Sequence, residues 1–261
     1  MSEYENQAEF YDEVSKPIFG DIEFYRRLGE AIGGPVLEIG IGTGRVAIPL
    51  AEAGIPVVGV DDSPAMLDVL RGKLESSEVA EKIELFEGDM RALDLLNRYR
   101  LIIVPFRAFN HMLTDADRRA ALTSMKAHLA PEGRIAIHTF GPLFHLLAQD
   151  YRVIPIRKRD LPDGRSLLGE DRIRYDHNRK LIEVERIIEV FNGGDSPAKK
   201  VVTFTIAYIY PEELTLTAEL CGLTLDRLFG DFEGGGYSYP ERIEAVHLLK
   251  HPDAPARELP F

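Results

Sequence analysis

The ten residues from Val36 to Arg45, VLEIGIGTGR, constrain the fold of this chain more than any other stretch. A mostly apolar run leads into Gly40, Gly42 and Gly44, spaced G-x-G-x-G, with Glu38 on the run and Arg45 beyond the turn. A strand that ends in such a turn and re-enters as a helix lets main chain approach a ligand, because glycine has no Cβ to hold it away. The spacing fails the dinucleotide fingerprint G-x-G-x-x-G, since Arg45 takes the third glycine position, and it is not a Walker A loop. What remains is a backbone platform at the carboxyl edge of a first strand.

The grammar repeats through residues 21–140. Helices are expected over Asp21 to Ile32, over Gly44 to Ala53 with Gly54 as the stop, from Ser63-Pro64 towards Leu74, and over TDADRRAALTSMKAHLA with Thr114 as cap. Strands are expected at Pro35 to Ile39, Ile55 to Val60, KIELFEGD, RLIIVPF and GRIAIHTF. Strands alternating with helices predict an α/β chain with a parallel, doubly wound sheet. After Pro142 the pattern changes: IRYDHNRKLIEVERIIEV reads as a hairpin turning at Asp176-His177-Asn178, and KKVVTFTIAYIY as another extended segment. These strands suit a small antiparallel cap across the mouth of the sheet. PEELTLTAELCG reads as a helix ended by Gly222, and LTLDRLFG and IEAVHLLKH as closing strands.

The chain has 261 residues, 45% of them apolar, enough for one sizeable domain or a domain with an elaboration. Its single cysteine, Cys221, excludes an intramolecular disulfide and makes the cytoplasm the expected compartment. No signal peptide or membrane-spanning run is read from the sequence. The formal net charge of −12 argues against a nucleic acid partner and mildly favours cationic or neutral substrates.

Carboxylates at the next two strand ends say more. Asp61 stands near the distance, roughly 20 residues from the glycine turn, at which an acid bonds ribose hydroxyls in nucleotide-binding α/β folds. In EGDM, Asp89 can accept from an exocyclic amine and Met90 can lie on a base. Three successive strand ends thus offer parts for an amino acid, a ribose and an adenine.

Taken in order, VLEIGIGTGR, VVGVDDSPAML, FEGDMR and HLAPEGRIAI resemble the successive motifs of class I S-adenosylmethionine-dependent methyltransferases, over about half of the chain. The resemblance implies a mostly parallel, seven-stranded Rossmann-like sheet with S-adenosylmethionine as cofactor and S-adenosylhomocysteine as product. It implies a core with lid helices over 1–141, an inserted antiparallel β cap over 142–210, and the rest of the core over 211–261. By position, Gly40, Gly42 and Gly44 wall the methionine part, Glu38 assists its ammonium or the loop, and Asp61 takes the ribose. Asp62 and Arg45 join this cofactor set, Asp89 and Met90 flank the adenine, and Met66 packs near its ring. Two departures stand out: strand four begins with Arg100 where many relatives carry aspartate, and PFRAFNHM replaces an Asn-Pro-Pro-Tyr type signature. The second argues against base or glutamine-amide methylation.

Methyl transfer is an in-line displacement, so the protein mainly holds the acceptor atom behind the methyl and excludes water. The loop after strand four supplies Arg107, Asn110 and His111 with Phe106 and Phe109, and His111 is the expected base or acceptor-orienting residue. AEFYDEV is similar to the Tyr-Asp element of small-molecule N-methyltransferases, which makes Tyr11 a lid residue and a second catalytic candidate. Arg172, Arg174 and Arg186 on the cap are candidates for an acidic group of the acceptor, and Tyr237 or Tyr239 for the pocket edge. No metal is expected. The expected function is methyl transfer to a small molecule, with an amine nitrogen preferred. An O-methyltransferase, a nicotinamide oxidoreductase and a non-catalytic nucleoside binder remain as alternatives, and both monomer and homodimer stay open.

Overall fold

The computed structural model describes residues 7–15, 18–141, 148–193, 196–238 and 242–261. Five strands, β1 (Val36–Ile39), β2 (Val57–Asp61), β3 (Ile83–Glu87), β4 (Tyr99–Val104) and β5 (Leu129–Phe140), alternate with helices as the sequence pattern requires. Four more, β6 (Tyr151–Asp160), β7 (Ser166–Asp176), β8 (Leu181–Phe191) and β9 (Ala198–Ala207), form a separate antiparallel sheet in that order. β10 (Thr224–Phe229) and β11 (Glu244–Lys250) return to the main sheet, whose order is β10-β11-β5-β4-β1-β2-β3. Only β11 runs against its neighbours. Strand order reverses between β1 and β4, and ligands of open α/β sheets bind at the carboxyl ends beside such a switch point.

The helices are α1 (Tyr11–Val14), α2 (Asp21–Ile32), α3 (Ala47–Glu52), α4 (Pro64–Leu74), α5 (Asp115–Ala127) and α6 (Pro211–Leu220). On α2 the buried residues Phe24, Tyr25, Leu28 and Ile32 recur at helical spacing and face the sheet. Ser63 caps α4, its hydroxyl accepting from Met66 N at 3.4 Å, with Pro64 in the first turn. Thr114 and Asp117 form the capping box of α5. Helix α3 begins three residues after the expected Gly44, because Gly44 is left-handed (φ 83°) and closes the turn instead of continuing the helix. β6 falls where no strand was expected. Its sequence, YRVIPIRKRD, is polar and carries Pro155, which an edge strand tolerates because its free side needs no donor.

Alternation along β1 splits the core in two. Val36 packs with Phe24, Leu28, Leu50 and Leu67 on one side, while Leu37 and Ile39 pack with Leu122, Met125 and Leu214 on the other. Glu38 therefore shares the α2 side with Val36. The four-stranded sheet has an equally clear polarity: Ile173, Ile182, Val184, Ile188 and Val190 point to its buried face, and Arg172, Arg174, Glu183 and Thr203 to the other. Among the described residues no helix is long and apolar enough to cross a membrane.

Candidate active site

A cavity of about 310 Å³ opens at the carboxyl ends of β1, β2 and β3 and against the loop after β4. That is near the lower end of the range of small-ligand sites, about 300 to 1,000 Å³. Its floor is the glycine turn. Gly40 and Gly42 have φ of 72° and 55°, and a Cβ on Gly40 would stand 2.7 Å from Ala108 Cβ, so the turn and the strand-four loop close on each other only because Gly40 has no side chain. Gly42 faces Met66 Cε, 3.3 Å from where its Cβ would be.

Asp61 ends β2 with its carboxylate braced from two sides. Oδ2 accepts from Gly42 N at 2.7 Å and Oδ1 from Ser63 N at 2.9 Å, so one residue fixes both the glycine turn and the entry to α4. Burial pushes its carboxyl up to about 6, against the two backbone hydrogen bonds. Asp62 is also raised by burial. A carboxylate this desolvated gains from any ligand that donates to it. Ribose hydroxyls donating to it would stabilise the ionised form, so such binding would lower the Asp61 pKa, and by linkage affinity would rise with pH through that value. Affinity for S-adenosylmethionine is expected to increase about tenfold from pH 5 to pH 7 in calorimetric titrations. A flat profile would separate Asp61 from the ligand. The free protein carries the opposite sign: the folded pKa lies above the ordinary value, so this group's contribution to stability is lost as pH rises from about 4 towards 6.

Met66, Asp89, Met90 and Arg91 complete the side below β3. Asp89 is tied to Arg91, whose Nε lies 3.0 and 2.9 Å from its two oxygens, and Arg91 Nη1 reaches Asp117 at 2.8 Å. The Arg91 hydrogen bond holds the Asp89 carboxyl below the usual range. His111, from the short 3-10 helix Ala108–His111, and Tyr11, from α1, line the same cavity, as does Thr205 of β9. Burial pushes the Tyr11 phenol up, which keeps it a neutral hydrogen-bonding group at physiological pH.

The segment carrying Tyr11 is strapped across the site. Asp12 accepts from Thr43 Oγ1 at 2.6 Å in the glycine turn and from Lys73 Nζ at 2.5 Å on α4. Toward the cap, Glu9 meets Arg165 and Lys200, Gln7 Oε1 accepts from Arg186 Nη1 at 3.1 Å, and Phe10 packs with Leu167, Ile188 and Val190.

Several expected site residues lie elsewhere. Gly44 turns toward the helices, where a Cβ would sit 2.4 Å from Leu70 Cδ1, so its role is packing. Arg45 is bound bidentately to buried Asp21 and stacks 4.4 Å over the Phe106 ring, leaving it no reach into the cavity. Glu38 is buried on the α2 side of β1, and desolvation pushes its carboxyl far up. Asn110 is fully buried and donates to Ala207 O at 2.7 Å, so it ties the strand-four loop to the cap. Phe109 is core. Arg107 turns away to Glu244. Arg172 and Arg174 flank buried Ile173 and therefore point to the opposite face of the cap, where they line a second depression with Tyr151 and Glu183 that shares Thr205 with the cavity. Arg186 lies on the buried face instead, paired through Nε and Nη2 with Asp171 at 2.7 and 2.9 Å. Tyr237 packs on Gly141, and Tyr239 lies outside the described residues. Among the described residues no cluster could hold a metal ion.

Residues 36–133 match a family model described as a methyltransferase domain. Over 248 residues the chain is 25% identical to cypemycin N-terminal methyltransferase of a Streptomyces species, covering 94% of this chain and 96% of that protein. The solved structure of the CcbJ methyltransferase from Streptomyces caelestis superposes with a TM-score of 0.83 at 26% identity, over 96% of this chain and 99% of that one. The sugar N-methyltransferase KedS8 from Streptoalloteichus shares the fold, with a TM-score of 0.72 at 18% identity over 93% and 92% of the two chains. Residues 36–133 thus match a methyltransferase domain, and the chain as a whole resembles these methyltransferases in fold.

Proposed function

We propose that this chain moves a methyl group from S-adenosylmethionine to an amine nitrogen of a small molecule held between the strand-four loop and the cap. The observation that carries this reading is that His111 and Tyr11 line the same cavity as the glycine turn and Asp61. Gly40 and Gly42 hold the amino-acid end, Asp61 and Asp62 the ribose, and Met66, Met90 and Asp89 the base. Bound there, S-adenosylmethionine supplies a methyl group already activated on a sulfonium.

The residues of the chain then have three tasks. The strap through Tyr11 and Asp12 covers the cavity and excludes water. Phe106 and Ala108 shape the wall against which the acceptor lies. His111 accepts a proton from the acceptor's ammonium, because nitrogen attacks only with a free lone pair. The group that the chain itself moves is the proton, which passes from the acceptor nitrogen to His111 and leaves nitrogen with the lone pair that would form the new bond to the methyl. The acidic balance of the chain favours a cationic amine on approach. The relative named for N-terminal methylation, 25% identical along nearly the whole chain, supports nitrogen as acceptor atom. We place the reaction in the cytoplasm, where the lone Cys221 stays reduced.

A panel of amines, amino sugars, hydroxylated aromatics and carboxylic acids, read by S-adenosylhomocysteine formation, tests the proposal. Turnover confined to amines supports it. Turnover confined to hydroxyl or carboxyl acceptors moves the reaction to oxygen, and binding without any turnover leaves a nucleoside-binding protein.

A further inference from the structure

The turn after β4 holds two consecutive non-glycine residues in the left-handed region, Phe106 at φ 52° and Arg107 at φ 68°. Side chains resist that geometry, and it persists only where the surroundings dictate it. Two clamps do so here. Arg45 covers the Phe106 ring and is itself anchored on Asp21. Arg107 donates through Nη2 to Glu244 Oε1 at 2.6 Å and lies 5.4 Å over the Phe140 ring.

Glu244 starts β11, on the far side of β5 from the turn, and its second oxygen meets Nε2 of wholly buried His138 at 2.6 Å. Burial pushes the Glu244 carboxyl up, but the hydrogen bonds of His138 and Arg107 outweigh it and keep it ionised. Burial outweighs Glu244 at His138 and holds the imidazole below its ordinary value, so the ring is neutral and donates from Nε2. Neither Glu244 nor His138 lines the cavity. An ion pair whose arginine is 37% exposed adds little stability, so its specific product is geometry. That geometry sits one turn away from the chemistry: Ala108 and His111 follow at once and enter the cavity.

We propose that Glu244, braced by His138, is a positioning residue for methyl transfer, which through Arg107 fixes the Phe106–Arg107 turn and with it the placement of His111 against the acceptor. The kinetic part of this inference rests on the methyl-transfer reading above; the conformational part does not.

Hydrogen exchange and turnover of Glu244→Ala and Glu244→Gln, each alone and combined with Arg107→Gly, test it. In Glu244→Ala, amides of residues 106–111 are expected to exchange at least about tenfold faster while those of β11 hold their rates. Turnover falls about tenfold or more, with affinity for S-adenosylmethionine kept within about twofold, since a small displacement of a reacting group costs rate and not donor binding. Glu244→Gln, which keeps the shape of the side chain, falls between parent and alanine variant and serves alone if the latter does not fold. Glycine adopts φ 68° without strain, so in the Arg107→Gly background loss of Glu244 changes both readouts by less than about threefold. Unchanged exchange at 106–111 in a folded variant, or equal losses in both backgrounds, overturns the proposal. A parent that forms no S-adenosylhomocysteine with any acceptor defeats the methyl-transfer reading instead, and the exchange comparison still decides the clamp.

Discussion

Asp61→Ala is expected to weaken S-adenosylmethionine binding by more than about tenfold in calorimetry, through the loss of charge-assisted acceptors in a desolvated site. The expected loss exceeds that of one contact because Asp61 has two jobs. Its oxygens brace Gly42 N and Ser63 N, so truncation leaves those donors unpaired and frees the glycine turn that shapes the floor. Asp61→Asn separates the jobs. The amide oxygen retains one acceptor for the backbone, but the ribose loses a charged partner, so affinity again falls. Without ligand, the same change relieves a carboxylate that burial disfavours in its ionised form but leaves one of the two backbone donors facing the amide NH2, so Asp61→Asn melts closer to the parent than Asp61→Ala does at pH 7. Binding that is weakened in Asp61→Asn by more than its melting shift explains marks Asp61 as a ligand-binding residue. Unchanged affinity in either variant would remove it from the ribose site.

The second large effect concerns rate. His111→Ala is expected to lower turnover about 100-fold, the range of general-base contributions, while donor affinity stays within about threefold. The side chain lines the cavity from a short helix fixed at both ends, by the strained turn before it and by Asn110 donating to Ala207 O of the cap. It is therefore held in place before any acceptor arrives. Partial rescue by added imidazole would identify the lost group as the proton acceptor. Equal turnover by parent and variant on the true acceptor would make His111 part of the wall and nothing more.

How much of this was legible beforehand follows from the range of each interaction. The strand-turn-helix units of residues 21–140 are local: caps such as Ser63 and Thr114, proline in a first turn and glycine stops are written within a few residues of where they act. One wall of the cavity is legible for the same reason, since Gly40, Gly42, Asp61, Asp89 and Met90 each sit where a strand runs out into a turn. The acceptor side is assembled from distant segments. Thr205 reaches the cavity from β9, and no local signal marks it. Arg107 and Asn110 sit in the right loop yet point away, because their partners Glu244 and Ala207 lie 137 and 97 residues further on. The cap arginines illustrate phase. In a strand neighbouring residues face opposite ways, so fixing Ile173 inward sends Arg172 and Arg174 outward, while Arg186 goes in with Val184 and Ile188. Recognising the strands was not enough without knowing which face meets the core. In β6 the β-branched stretch Val153, Ile154 and Ile156 is short, interrupted by Pro155 and followed by four charged residues, so it does not reveal a strand unaided.

The account stands on three adjacent strand ends holding one adenosyl group. A crystal structure of the protein with S-adenosylhomocysteine tests this most directly: the ribose hydroxyls are predicted on the Asp61 carboxylate, the base between Met66 and Met90, and the thioether sulfur toward Phe106 and His111. A nucleoside bound at any other place, or an Asp61 carboxylate without a ribose in a fully occupied complex, would contradict it.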